Sequence, residues 1–254
     1  KTGEPRGGRR VAEPTPRREP AGARRGRRVL RGAIPELLFP PERLRGVEPE
    51  EESNVTTWVE NPSGGRERGP RGLARAWVEV LLRPRQFFRN GVAPGDQAPG
   101  LIFAVVVAVG YTVGLFAFVP DRIPSLAGGQ VVSAAIALAL VALVIAPAAL
   151  HLTAALQTVL LILAVRDRAG VSETVQVIAY ATAPCVVAGV PSPWLRLACA
   201  LYGAALLVVG LREVHRTTTT RAFAAAAVPS ILLFGSAFGG IDAGTVVLRV
   251  LGLI

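Results

Sequence analysis

The chain has 254 residues, of which 51% are hydrophobic and only 18% charged, and its mean hydropathy is positive at +0.43. That balance excludes an ordinary soluble enzyme. Lys and Arg total 28 against 18 Asp and Glu, a formal charge of +10, and Lys1 is the only lysine. A basic excess beside long apolar runs points to membranes before nucleic acid.

Residues 1–54 carry 13 basic and 9 acidic residues among many Pro and Gly, with apolar positions too sparse for a core. The segment reads as disordered. Two origins stay open for it: an ordinary basic tail, or translated GC-rich DNA upstream of a GTG start at Val55. The first long apolar run begins near residue 100, so the pattern contains no secretory signal peptide.

Residues 55–99 read as a basic cytoplasmic segment. Within it, 71–82 is a short amphipathic helix, with Leu73, Trp77, Val80 and Leu81 recurring at helical spacing while Arg71, Arg75 and Glu79 fall elsewhere. Pro84 ends it. From Arg66 to Arg89 there are seven arginines against Glu67 and Glu79. Together with Trp77 and the Phe87-Phe88 pair, Arg71, Arg75, Arg83, Arg85 and Arg89 suit the anionic headgroup layer of a bilayer. A solvated helix packed on the membrane domain is the alternative.

Four apolar blocks follow, at 100–119, 131–165, 174–211 and 222–241. A helix needs about 20 residues to cross the hydrocarbon, so the first and last are single spans. Pro191-Ser192-Pro193 divides the third block into spans at 174–190 and 194–211. The second block is too short for two spans and a turn, so it is one long helix of about 52 Å with Pro147 near its middle. Charge agrees. With the N-terminus inside, only Arg122 and Arg249 among the flanking arginines fall outside, whereas splitting the second block spoils that asymmetry. The prediction is an all-α polytopic bundle of five transmembrane helices over 100–241, N-terminus cytoplasmic and C-terminus external in the cell membrane, with 242–254 a short apolar tail.

Gly110-x-x-x-Gly114, Ala104-x-x-x-Ala108 and Gly235-x-x-x-Gly239 mark faces where helices approach closely, and they are compatible with homo-oligomers. No Asp, Glu or Lys occupies the centre of any span. Proton relays and ion-coupled transport normally need such groups. Cys185 and Cys199 lack partners at ligand spacing and read as buried thiols. His151, one turn after Pro147, is placed to donate to the carbonyl that the proline frees, with a proton or metal site as the other reading. His215, in a basic loop, reads as surface or headgroup-facing. The hydroxyls of Thr217 to Thr220 suit the N-cap of the last span. Motifs of intramembrane proteases, metal sites and phosphate loops are missing, so no cofactor is expected.

Taken in order, these features resemble a known family. A Pro-x-x-Phe-Phe segment (Pro84, Phe87, Phe88) enters the first span, and a long second helix ends at Gly170-Val-Ser172. Then come Thr174-Val-Gln-Val-Ile-Ala-Tyr180-Ala-Thr-Ala-Pro184 and Gly210-Leu-Arg-Glu-Val-His215. Over residues 70–241 this resembles the Yip family of five-span membrane proteins, named for interaction with Ypt/Rab GTPases, and most closely its prokaryotic and archaeal branch. Tyr180 and Pro184 match the family's Tyr-x-x-x-Pro element. The Asp-Leu-Tyr-Gly-Pro motif of eukaryotic members and a C-terminal lipid-type cysteine are missing, so Rab-linked trafficking is not implied.

What the resemblance implies is a non-catalytic membrane scaffold or adaptor. Its basic face would meet anionic lipid headgroups or a membrane or cytoplasmic protein partner. The competing reading is a small-solute transporter or channel, since Pro147, Pro184 and Pro229 interrupt spans. Nucleic acid is not expected, because the Arg-rich tail lacks interleaved aromatics. Tyr180 is expected to face the bundle interior and bond to Gln157 or His151, one turn below a kink at Pro184, with a role as an interfacial aromatic anchor as the alternative.

Overall fold

The computed structural model describes residues 57–60 and 66–254, and for 57–68 the backbone alone. The expectation for residues 1–54 lies outside the described residues. Two short antiparallel strands, β1 (Thr57–Glu60) and β2 (Arg66–Arg68), lead into α1 (Gly69–Leu82) and α2 (Pro84–Asn90). The membrane body comprises α3 (Ala98–Phe118), α4 (Gln130–Leu140), α5 (Ala146–Ala164), α6 (Val171–Ala181), α7 (Pro193–Val214), α8 (Thr219–Ser230) and α9 (Gly240–Val250).

Four helices are long and apolar enough to cross a membrane: 98–118, 130–164, 193–214 and 219–237. Their outward faces are apolar too. Leu143 is 78% exposed, Leu152 71% and Leu163 80%, a surface that water would reject and lipid accepts. The second block is one continuous helix, as its length requires. Before Pro147 a π-turn at Val141–Ile145 joins α4 to α5, with the Ala146 N–H reaching back five residues to the Val141 carbonyl. The wider turn makes room for a proline ring that would otherwise strike the carbonyl four residues before it.

The third predicted span, 174–190, is built differently from expectation. The α-helix stops at Ala181, and Ala183–Val187 forms a tighter 3₁₀ turn in which Cys185 N–H bonds to Thr182 and Ala188 N–H to Cys185. Pro184 therefore ends the α-helix where a kink in a regular helix was expected. This segment is the centre of the bundle, with every residue from Thr174 to Cys185 buried. That position explains its polar content, because α6 is walled by α3, α5 and α7 and never needs an apolar face for lipid.

The residues after 241 are also a correction: Gly240–Val250 is helical, where a short tail was expected. Gly240, Ala243 and Val247 recur at helical spacing and bury against the bundle. Gly239, in the left-handed region at φ 71°, makes the turn into it.

Helix approach follows the small residues. A Cβ on Gly189 would lie 2.2 Å from the Tyr111 carbonyl oxygen, and one on Gly110 2.6 Å from the Val186 side chain. Gly110 and Gly114 thus form the face of α3 against which the segment after Pro184 lies. Gly235 instead faces Ile231 and Ile241 of its own strand of chain.

Candidate functional site

The Pro-x-x-Phe-Phe and Tyr-x-x-x-Pro elements are about ninety residues apart in the chain and meet in the fold. Pro84 opens α2 as its first residue, where its missing N–H costs nothing. One turn on, Phe87 and Phe88 are both buried. The Phe87 ring stands edge-on to Tyr180 with centroids 4.8 Å apart, and Phe103 meets Tyr180 from another side at 5.0 Å. Trp77 of α1 packs on Phe103 at 4.8 Å. Such edge-to-face pairs add to the burial of their area. Tyr180 is fully buried among them, so its ring faces the bundle interior, as expected.

The same junction is fastened by hydrogen bonds. The Trp77 indole donates to the Ala183 carbonyl at 3.0 Å, within the helix break that Pro184 creates. Gln176 pairs twice with the backbone of Ala93: its Nε2 donates to the Ala93 carbonyl at 2.6 Å and its Oε1 accepts from the Ala93 N–H at 3.1 Å. Tyr202 donates its hydroxyl to the Leu81 carbonyl. So α1 lies on protein, and its most deeply buried positions are Gly72, Ala76 and Val80, a one-residue rotation from the predicted stripe.

Of the predicted headgroup residues, Arg71, Arg83 and Arg85 are exposed. Arg75 pairs with Glu79 at 2.8 Å. Arg89 reaches α7, where its Nε donates to Glu213 Oε2 at 2.6 Å. Gln157 and His151 find partners elsewhere than Tyr180. Gln157 Nε2 donates to the Ala225 carbonyl at 3.0 Å. His151 Nδ1 bonds to the carbonyl of Pro147 itself at 2.8 Å, whereas the acceptor freed by Pro147 belongs to Leu143.

His215 is the residue that sequence reasoning misplaced. It is 1% exposed, not on the surface. Its Nδ1 accepts the Ala169 N–H at 3.1 Å, which fixes the tautomer, and its Nε2 faces Thr174 Oγ1 at 3.4 Å. Thr174 in turn donates to the Gly170 carbonyl. Burial, with the Arg168 cation beside it, holds the imidazole down to about 4. The side chain pins the loop between α5 and α6 to the end of α7. The local sequence carries no signal of this, since its partners lie more than forty residues away.

These pieces surround the basic end of the bundle. A cavity of about 830 Å³ opens there, walled by Arg89, Arg168, Arg212 and Arg216 together with Asp167, Glu173 and Glu213. Among the described residues no cluster of His, Cys, Asp or Glu is arranged to hold a metal ion. Cys185 and Cys199 are both buried and free. The geometry is that of a charge-lined cavity between α2, the end of α7 and the loop before α6.

A family model, the Yip1 domain, matches residues 78–241. The chain belongs to the Yip1 family. The matched stretch begins within α1, spans both motifs of the aromatic junction and ends just after the turn at Gly239. In this Yip1 domain the motif residues are therefore packing residues that join the entry helices to α6. No curated protein and no solved structure matches the chain.

Proposed function

We propose that this Yip1-domain protein is a non-catalytic scaffold of the cell membrane, whose basic cytoplasmic face holds anionic lipid headgroups and presents them with its cavity to a protein partner. One observation carries the reading: the basic segment is bolted to the membrane body through Trp77, Phe87 and Gln176. Arg71, Arg83 and Arg85 are consequently held exposed on the same anchored segment as Arg89, which lines the arginine-rich cavity. A tethered array of cations suits a surface of anionic headgroups, to which each arginine contributes about 1 kcal/mol.

The same reading takes five crossings, with the N-terminus inside and the C-terminus outside. The short third segment runs beside α3 for most of its length, from Gly100 against Gln176 to Gly114 against Gly189, which supports counting it as a crossing. The five-crossing order also collects Arg166, Arg168, Arg212, Arg216 and Arg221 on the side of α2.

The test uses full-length protein. Reporters fused after Arg216 and after Ile254 should fall on opposite sides, the first cytoplasmic. Purified from membranes, the protein should carry co-purified anionic lipid that Arg83→Gln with Arg85→Gln depletes, while Arg89, committed to Glu213, is left intact. Both reporters on one side, or unchanged lipid in the double variant, defeats the proposal.

A further inference from the structure

A second cavity, of about 170 Å³, lies inside the membrane body, and the three proline-interrupted segments of the bundle all border it. Ile145 and Ala146 line it from the π-turn before Pro147, and Thr182 from the helix end before Pro184. Leu233 and Phe238 line it from a second π-turn, Ile231–Ala237, that follows Pro229. In that turn the Phe238 N–H reaches back five residues to the Leu233 carbonyl. Turns of this kind are rare, arise mostly within α-helices and are frequent at functional sites. Here two of them flank one cavity.

The chemistry of the walls selects the occupant. Thr112 donates its hydroxyl to the Ala108 carbonyl at 2.8 Å and Thr182 donates to Ala179 at 2.7 Å, so these donors are spent on backbone. The rest of the lining is almost wholly apolar, with Ala104, Leu150 and Ile178 among it. A water needs two to four polar partners and would find few, whereas an apolar cavity of about 150 Å³ stays dry and takes up an apolar guest. The position supplies one. Ala104 to Thr112 is the middle of α3, which is 21 residues long, and Ala237 ends the last span, so the cavity lies between mid-membrane and one end of the bundle, at a depth that acyl chains occupy. The mouth faces that hydrocarbon through Ile145, 56% exposed, and Ala237, also exposed.

We propose that this cavity, framed by the two π-turns and the break at Pro184, seats the end of one acyl chain of a bilayer phospholipid. The site is distinct from the headgroup contacts of the basic face, since it reads the chain and lies deep in the bundle. It gives the proline-broken helices a role other than a path for a polar solute.

The experiment reconstitutes full-length protein in phosphatidylcholine vesicles doped with a phospholipid bearing a terminal diazirine on one chain. After photolysis, adducts are mapped by mass spectrometry. Seating of the chain puts adducts on Tyr111, Leu150 and Phe238 as well as on outward-facing Leu152 and Leu163. Ala237→Leu with Ala149→Leu, which plugs the mouth, should abolish the inner adducts and leave the outer ones. The outer adducts also report that the variant is folded and inserted. Adducts confined to Leu152 and Leu163 in the native protein, or inner adducts that survive the plug, overturn the proposal.

Discussion

Gln157 Nε2 donates to the carbonyl of Ala225, and Ala225 is the residue four before Pro229. A proline inside a helix has no N–H to offer that acceptor, so the side chain of α5 supplies the bond that α8 has lost. In hydrocarbon an unmet carbonyl costs far more than in water. The pair therefore couples two helices through a defect in one of them.

Gln157→Leu should cost about 1–2 kcal/mol of bundle stability, read from thermal unfolding in bicelles. In a Pro229→Ala background the backbone can meet Ala225 again, and the same substitution should then cost less. Equal costs in the two backgrounds would show that Gln157 acts by packing alone.

At the aromatic junction the ring of Tyr180 matters more than its hydroxyl. Tyr180→Ala empties a space bordered by Phe87 and Phe103 and should cost about 3–5 kcal/mol. Tyr180→Phe keeps the ring contacts and should cost no more than about 1–2 kcal/mol. A cysteine placed at 180 should resist aqueous maleimide from either side; ready labelling would contradict the buried position.

Among the described glycines, Gly189 is the one where an added Cβ would come nearest another atom. Gly189→Ala sets a methyl 2.2 Å from the Tyr111 carbonyl oxygen and 2.7 Å from the Leu115 nitrogen. Both neighbours are backbone and cannot swing aside. A loss of about 1–3 kcal/mol is expected, against a much smaller loss for Gly114→Ala, whose nearest contact is 3.5 Å away.

His215 makes stability depend on pH. Its folded pKa, about 4, lies below the ordinary 6.5, so the unfolded chain binds a proton first as pH falls. The stabilisation is complete above about pH 6.5, is lost progressively down to about pH 4, and is then exhausted, a total of roughly 3 kcal/mol. His215→Asn keeps an acceptor for the Ala169 N–H without a titrating group. Its unfolding temperature should vary less between pH 4 and 6.5 than that of the native protein; identical pH profiles would mean that other groups dominate.

Hydrophobicity acts locally, and the local pattern determined most of the architecture. Uninterrupted apolar runs marked the membrane helices, and Pro147, Pro184 and Pro229 marked where backbone bonds would fail. Gly110 and Gly114 marked a packing face, and Ser192 and Thr218 provided caps for α7 and α8. How each break is resolved was not legible in this way. The second helix widens into a π-turn, the third stops in a 3₁₀ turn that Trp77 closes from α1, and the last borrows Gln157 from 68 positions away. His215 likewise reads as a surface residue until α6 and the loop before it fold over it. A sequence shows which polar groups are left without partners. Only the tertiary structure decides which distant side chain comes near enough to satisfy them, because a hydrogen bond depends on distances of about 3 Å and not on separation along the chain.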